Sequence, residues 1–288
     1  MYADLHVHSQ YSDGTYTLKE IIVKAQAHNI SLLSICDHNN IDAYLEEGNF
    51  CEGTGIKLIP GVEIHAAMDG MEYHMLAYCF DIHSKELQEL LRYSSDILNS
   101  RGTALIQNMA RDYHILCTEE FSQYKRNKAN GGWDSLDYLK SKGLATTWVD
   151  YFSYVRNYGT TCEKDFYHPT DIIKTINNAK GYAVLAHLGD TLEQDIEKCK
   201  KTADAFINMG IDGFECYYPS HNKDVTNYLL DISRTHDMII TAGSDDHGGF
   251  NTVDGGCVYD MGLLGVEVGQ ISVKERRNPC KTHTSGTN

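Results

Sequence analysis

Short apolar runs and longer stretches of helical period alternate along the chain. DLHVH (4–8) reads as a strand. TLKEIIVKAQAHN (17–29) reads as a helix, with Thr17 at the N-cap and Glu20 three residues on, a capping box. LLSICDH (32–38) predicts a second strand and KLIPGVEIH (57–65) a third, separated by a polar stretch around IDAYLEEGN. MEYHMLAYC (71–79) follows a turn at Asp69-Gly70, so these last two runs predict a hairpin. Alternation returns with YAVLAH (182–187), DGFECYY (212–218), IITAGSDDH (239–247) and LGVEV (264–268), among helices at about 170–179, 191–209 and 222–236. Near-continuously apolar strands separated by helices predict an α/β fold with a parallel sheet covered on its outside.

Residues 85–165 break that rhythm with four or five helical stretches and no convincing strand. The pattern predicts an all-helical insertion over 85–165, flanked by a discontinuous α/β domain of 1–84 and 166–288. The plainer alternative is a set of ordinary outer helices of the same domain.

Metal-ligand side chains fall where strands give way to loops. His6 and His8 are one residue apart and so share a strand face. Asp13 follows in the next loop, Asp37-His38 end the second strand, Glu63 lies near the end of the third and His74 sits inside the fourth. His187 ends YAVLAH; Asp245 and His247 end IITAGSDDH. Asp37 reads as a cap or turn residue. The other nine, six imidazoles and three carboxylates, are of the types that hold a transition metal. In a parallel barrel the C-terminal ends of the strands form the face on which active sites are built. Taken singly, each histidine has a structural alternative, and GSDDHG reads equally as a turn. Recurrence at five or six strand ends favours one shared metal site.

Composition narrows the setting. Basic residues number 25 and acidic 40, a net charge of −15, which opposes broad attraction to nucleic acid or acidic membranes. Nine cysteines are scattered without a CxxC pair, which predicts reduced thiols and a cytoplasmic location. No secretory signal and no apolar run of the roughly 18 residues that span a bilayer is present. No membrane and no protein partner is expected.

DLHVHSQYSDG, SICDHN, PGVEI, EYHMLAY, AVLAH and GSDDHG, in that order, resemble the PHP (polymerase and histidinol phosphatase) family of metal-dependent phosphoesterases. The resemblance implies a distorted (β/α)7 barrel, related to the TIM barrel, and two to three divalent ions of manganese, iron or zinc. It implies one ion on His6, His8, Glu63 and Asp245, a second on Glu63, His74 and His187, and a third on Asp13, His38 and His247, with Glu63 bridging two. GFECYYPSH (213–221) and the helical insertion resemble the small members that act on 3′,5′-nucleotides and oligoribonucleotides. On that likeness His221 lies near the substrate phosphate; its plainer role is to cap the helix beginning near Asn222. Two positions depart from the family pattern: Leu188 replaces a proline, and His65 replaces a small hydroxyl residue. His65 shares a face with Glu63, as a second-layer residue, a substrate contact or an altered ligand.

Such a site suits phosphoester hydrolysis. Paired cations share a hydroxide, bring its pKa toward neutrality and bind phosphate oxygens. Three carboxylates against three divalent ions leave a local charge of about +3, so an acidic protein still attracts phosphate. The expected function is hydrolysis of a phosphate ester of a small nucleotide or short oligonucleotide by a metal-bridging hydroxide. Asp13, His247 and the proton donor His221 are the expected catalytic groups, with His221 and His65 touching substrate. Arg101, Arg111, Arg126 and Arg156 are candidates to clamp a second phosphate, one of them at most. Trp148, Tyr151, Phe152 and Val155 have the spacing of a packed helix face rather than of a base-stacking platform. The alternatives are a histidinol-phosphate-type phosphomonoesterase, a non-catalytic metal-binding module and a C–N hydrolase on a similar barrel. The polar tail from Lys274 receives no role.

Overall fold

The computed structural model describes residues 1–160, 166–253, 256–257 and 259–273. In chain order the elements are β1 (Tyr2–Val7), α1 (Leu18–Ala27), β2 (Ile30–Ile35), α2 (Asp42–Glu47), β3 (Lys57–Leu58), β4 (Gly61–Met68) and β5 (Met71–Tyr78). Then come α3 (Lys85–Met109), α4 (Thr118–Ser122), α5 (Asp134–Ser141), α6 (Trp148–Tyr158) and α7 (Pro169–Asn178). The last are β6 (Tyr182–Leu185), α8 (Leu188–Thr191), α9 (Ile196–Met209), β7 (Gly213–Tyr217), α10 (Lys223–Thr235) and β8 (Ile239–Ala242). The capping box opens α1: Thr17 accepts from the backbone of Glu20, whose carboxylate takes the Thr17 N–H.

The strands form an α/β fold with two main sheets, ordered β1-β2-β3 and β4-β5-β6-β7-β8. Two sequence expectations change. KLIPGVEIH is not one strand: β3 pairs with β2, whereas β4 pairs with β5 in the other sheet. Pro60 sits at the break, where it has no N–H to donate to a ladder. Nor is the sheet wholly parallel, because β5 is antiparallel to both β4 and β6. The hairpin is as expected. Asp69 (φ 54°) and Gly70 (φ 81°) are both left-handed, the conformation a two-residue type I′ turn requires. Isolated parallel bridges, His38↔Glu63 and Val7↔Asp246, join the two sheets.

One core cluster mixes strand and helix residues, including Ile21, Leu33, Ile64, Met75, Ile176, Phe206 and Phe214. A second, with Leu5, Leu32, Leu76, Tyr78 and Val184, is built from strands and the residues flanking them. Residues 85–160 contain no strand, and their helices enclose a third cluster around Leu105, Ile106, Met109, Leu136, Tyr138 and Leu139. Tyr151 is buried there with Trp148 and Val155 against it, as the helical spacing predicts, although Phe152 is 37% exposed. The end of the expected insertion (161–165) and the tail from Lys274 lie outside the described residues. No helix among the described residues is long and apolar enough to cross a membrane. Among the described cysteines, Cys36, Cys51, Cys117, Cys199 and Cys216 are free thiols.

Candidate metal centre

The nine expected ligands converge where β1, β2, β6 and β8 end, at the level of Glu63 in β4 and His74 in β5. Because β5 runs against its neighbours, a histidine in its first half reaches the same edge as side chains that follow the other strands. Two ladder irregularities flank this level, one in β1 between Asp4 and Val7 and one in β7 between Glu215 and Tyr217. Such bulges re-aim side chains beside a site. His187 (φ 24°) and Asp245 (φ 56°) hold left-handed backbone, a strain that persists only where the surroundings over-determine it.

Glu63 is the hub. Its Oε1 lies 2.9 Å from His74 Nδ1 and 3.0 Å from His187 Nε2. Its Oε2 lies 3.3 Å from both His6 Nε2 and His8 Nε2, and 3.0 Å from His38 Nδ1. Asp245 Oδ1 is 3.0 Å from His8 Nε2 and 3.4 Å from His6 Nε2. Asp13 gathers His8 and His247 on one oxygen (3.5 and 3.4 Å) and His38 on the other (3.6 Å). His6, His8, Glu63 and Asp245 form one potential ligand group, and His8, Asp13, His38 and His247 another.

A layer of buried polar groups, of which the sequence reading gave only Asp37 as a cap or turn residue, holds these side chains. Glu215 is fully buried and accepts from His6 Nδ1 (3.0 Å) with one oxygen and from the His187 N–H (2.9 Å) with the other. The Tyr218 hydroxyl donates to Asp245 Oδ2 (2.8 Å). Asp246 accepts from Lys24 Nζ (2.6 Å) and from the N–H groups of Gly248 and Met261, which fixes the loop between Asp245 and His247. Asp37 takes the Ser9 N–H and the hydroxyls of Ser9 and Ser12, so it anchors the loop ahead of Asp13. A Cβ on Gly243 would fall on His6 Cβ and Glu215 Oε1. The legible signal for Glu215 was an acid inside an otherwise apolar strand.

The electrostatics ask for cations. His6 gives its Nδ1 proton to Glu215, so a neutral ring turns a bare Nε2 lone pair toward Glu63 and Asp245. Glu63 Oε2 and His38 Nδ1 are buried and make no hydrogen bond among the described residues. Converging lone pairs in a buried site are costly unless protons or metal ions lie between them. Burial alone would raise the Glu63 carboxyl, but His38, His6 and His74 outweigh it and hold it well below the ordinary range. Burial likewise opposes the charged form of His8, yet the adjoining Asp245 and Glu63 carboxylates push it up to about 10. The nitrogen and oxygen donors, without thiolate, fit open sites for manganese, iron or zinc.

The PHP domain family's sequence profile matches residues 4–216. The chain belongs to the PHP domain family. It is 27% identical over 265 residues to a 5′-3′ exoribonuclease of Haemophilus influenzae, covering 85% of this chain and 89% of that protein. It is 24% identical over 255 residues to the 3′,5′-nucleoside bisphosphate phosphatase of Chromobacterium violaceum, covering 85% and 86%. Among solved structures, a Bifidobacterium adolescentis protein named for metal-dependent phosphoesterase chemistry superposes with a TM-score of 0.72. That match covers 94% of each chain at 22% identity, a likeness of fold.

Within this PHP fold the expected substrate contacts are placed differently from the ligands. His221 Nε2 accepts from the Gly189 N–H (3.1 Å), so its Nδ1 donates to Cys216 O (3.3 Å). Both nitrogens are committed to backbone, and the ring braces the turn that follows His187. It does not cap α10, whose N-cap is Asn222. His65 is buried, facing Asn39 through Nδ1 (2.9 Å) and Glu72 through Nε2 (3.4 Å). Of the four arginines, Arg111 and Arg156 are exposed and Arg101 is ion-paired to Glu72. Arg126 reaches the site: it donates to the Ser12 carbonyl and lines a cleft of about 160 Å³ with Asp13, His38, Asn40, Asn99 and Trp133.

Proposed function

We propose that this PHP-family chain is a metal-dependent phosphoesterase that hydrolyses a phosphate ester of a small nucleotide or short oligonucleotide in the cytoplasm. It would do so on a distorted (β/α)7 barrel of residues 1–84 and 166–288, with 85–165 inserted. The two bridges that join the sheets support closure of β1, β2, β4, β5, β6, β7 and β8 into a ring. The observation that carries the reading is the buried Glu63 carboxylate, with three imidazole nitrogens around one oxygen and two around the other.

His6, His8, Glu63 and Asp245 would hold one ion, Glu63, His74 and His187 a second, and Asp13, His38 and His247 a third. Divalent ions there supply a low-pKa water and neutralise charge on the phosphoryl oxygens. The chain's own groups do the rest. Glu215 keeps the His6 proton on Nδ1, and Tyr218 fixes Asp245 through the oxygen that faces away from His6. Arg126, at the cleft beside Asp13, is the insertion arginine placed to receive a second phosphate, with Trp133 beside it for a base. His221 acts by positioning the Gly189 turn. The names of the exoribonuclease and bisphosphate phosphatase relatives support a nucleotide over histidinol phosphate.

The test is a substrate panel on manganese-loaded protein: nucleoside 3′,5′-bisphosphates, short 5′-phosphorylated oligonucleotides, histidinol phosphate and an aryl phosphate. Preference for a nucleotide or oligonucleotide is expected. Preference for histidinol phosphate would refute the substrate class. Tight stoichiometric metal without turnover of any ester would refute catalysis.

A further inference from the structure

Beside the ligand set, and sharing His74 with it, lies a further group: His65 and Glu72 with His74, whose ligand-type atoms lie within 4.8 Å of one another. His65 and His74 are partners in the β4/β5 ladder, and Glu72 is two residues from His74 on the same face. Glu72 Oε1 is 3.7 Å from His74 Nε2 and 3.4 Å from His65 Nε2. Its other oxygen accepts from Arg101 Nη1 at 2.8 Å. Arg101 comes from α3, and its guanidinium lies 4.4 Å from the centre of the Phe166 ring. Its Nε and Nη2 are buried and make no hydrogen bond to any described residue, so among the described residues Glu72 is the group that pairs with it.

A fourth metal on His65, Glu72 and His74 is the competing reading, and hydrogen bonding argues against it. The His65 N–H donates to Asn39 Oδ1 (3.2 Å), which orients the amide so that its Nδ2 faces His65 Nδ1 (2.9 Å). An amide nitrogen only donates, so His65 Nδ1 accepts and the proton of the neutral ring sits on Nε2, toward Glu72. That nitrogen has no lone pair for a cation. Glu72 already carries a guanidinium on one oxygen, which opposes a second cation on the same carboxylate.

We propose that Glu72 is a positioning residue: its carboxylate, 3.7 Å from His74 Nε2, attracts that side of the ring and so turns His74 Nδ1 toward Glu63, and it is itself held by Arg101. The helical insertion thereby sets the metal affinity of the Glu63–His74–His187 position. This rests on reading that position as a metal site. A carboxylate on the remote nitrogen of a ligating histidine fixes its tautomer and raises its basicity, and losing such a partner weakens binding by about 10–100-fold.

The experiment titrates manganese or zinc into full-length wild type, Glu72→Gln, Arg101→Met and Arg101→Lys against a chromophoric chelator. Metal content at saturation and the metal-free thermal midpoint are measured in parallel. Glu72→Gln, nearly isosteric, is the decisive variant should Arg101→Met fail to fold. Expected is a loss of about tenfold or more in the affinity of one ion in Glu72→Gln, with saturating stoichiometry unchanged. Arg101→Lys is expected to retain more affinity than Arg101→Met. A change below about threefold in Glu72→Gln overturns the proposal, and so does the loss of one equivalent at saturation, which would make Glu72 a ligand. A wild type that takes up no metal would instead overturn the metal centre itself.

Discussion

Glu215→Gln isolates the buried layer behind the ligands. Glu215 is fully buried and serves two donors at once, His6 Nδ1 and the His187 N–H. Glutamine fills the same space but offers one acceptor oxygen and an amide that only donates. One of the two donors therefore faces an NH₂ group and is orphaned, at a cost of about 1–3 kcal/mol. The surviving bond loses its charge, worth about another 1 kcal/mol, so the variant should be about 2–4 kcal/mol less stable. Because Glu215 reaches both β1 and the turn after β6, the two histidines should lose alignment together. Metal affinity should then fall about 10–100-fold, or about 1.4–2.7 kcal/mol. Urea unfolding of the metal-free protein reads the first quantity, and chelator competition reads the second. A stability change under about 0.5 kcal/mol with unaltered affinity would refute the role assigned to Glu215.

Asp13→Ala and Asp245→Ala should each remove bound metal and hydrolysis together, as read by elemental analysis and an ester assay; activity retained in either removes that residue from the site. Gly243→Ala should abolish metal uptake although it changes no ligand, since a methyl group there collides with His6 and Glu215; a fully loaded variant would show that the strand end can yield. Acid should destabilise the metal-free protein. Burial opposes ionisation of Glu63 and Asp13, but their histidine neighbours hold both well below the usual range, so their stabilisation is complete above about pH 4 and is lost as pH falls further. His74 is pushed up to about 10: burial opposes its charge, but Glu63 and then Glu72 outweigh it. Its contribution is full below about pH 6.5 and fades as pH rises toward 10, so thermal midpoints in chelator should trace a dome, and a flat profile would contradict these assignments.

The cluster of candidate ligands was legible because a metal site demands a narrow set of residue types and strand ends display them at intervals. His6 and His8 show this best, since a period of two alone aligns them. His74 was legible as a residue type, but its approach depends on β5 running backwards, which the Asp69-Gly70 turn signalled. The break at Pro60 was readable in principle, yet the apolar run across it masked a change of sheet. The roles of Glu215, Asp246 and Lys24 were not legible, because each acts through a partner distant in sequence; the acid inside an apolar strand marked Glu215 as unusual without naming His6 or His187. Lys24 lies on α1 and reaches Asp246 across the fold, a pairing periodicity cannot express. For the histidines at 65 and 221, residue type suggested substrate contact, while their hydrogen bonds face the protein's own backbone and side chains.

The two-residue turn between β4 and β5 also limits how this gene can vary in length. Glu63 and His74 are eleven positions apart, and every residue of both strands between them and the turn is paired. Dropping or adding a single codon in either strand would swing one of the two ligands to the far side of the sheet. Workable length changes in this stretch must come as matched additions on both arms of the hairpin.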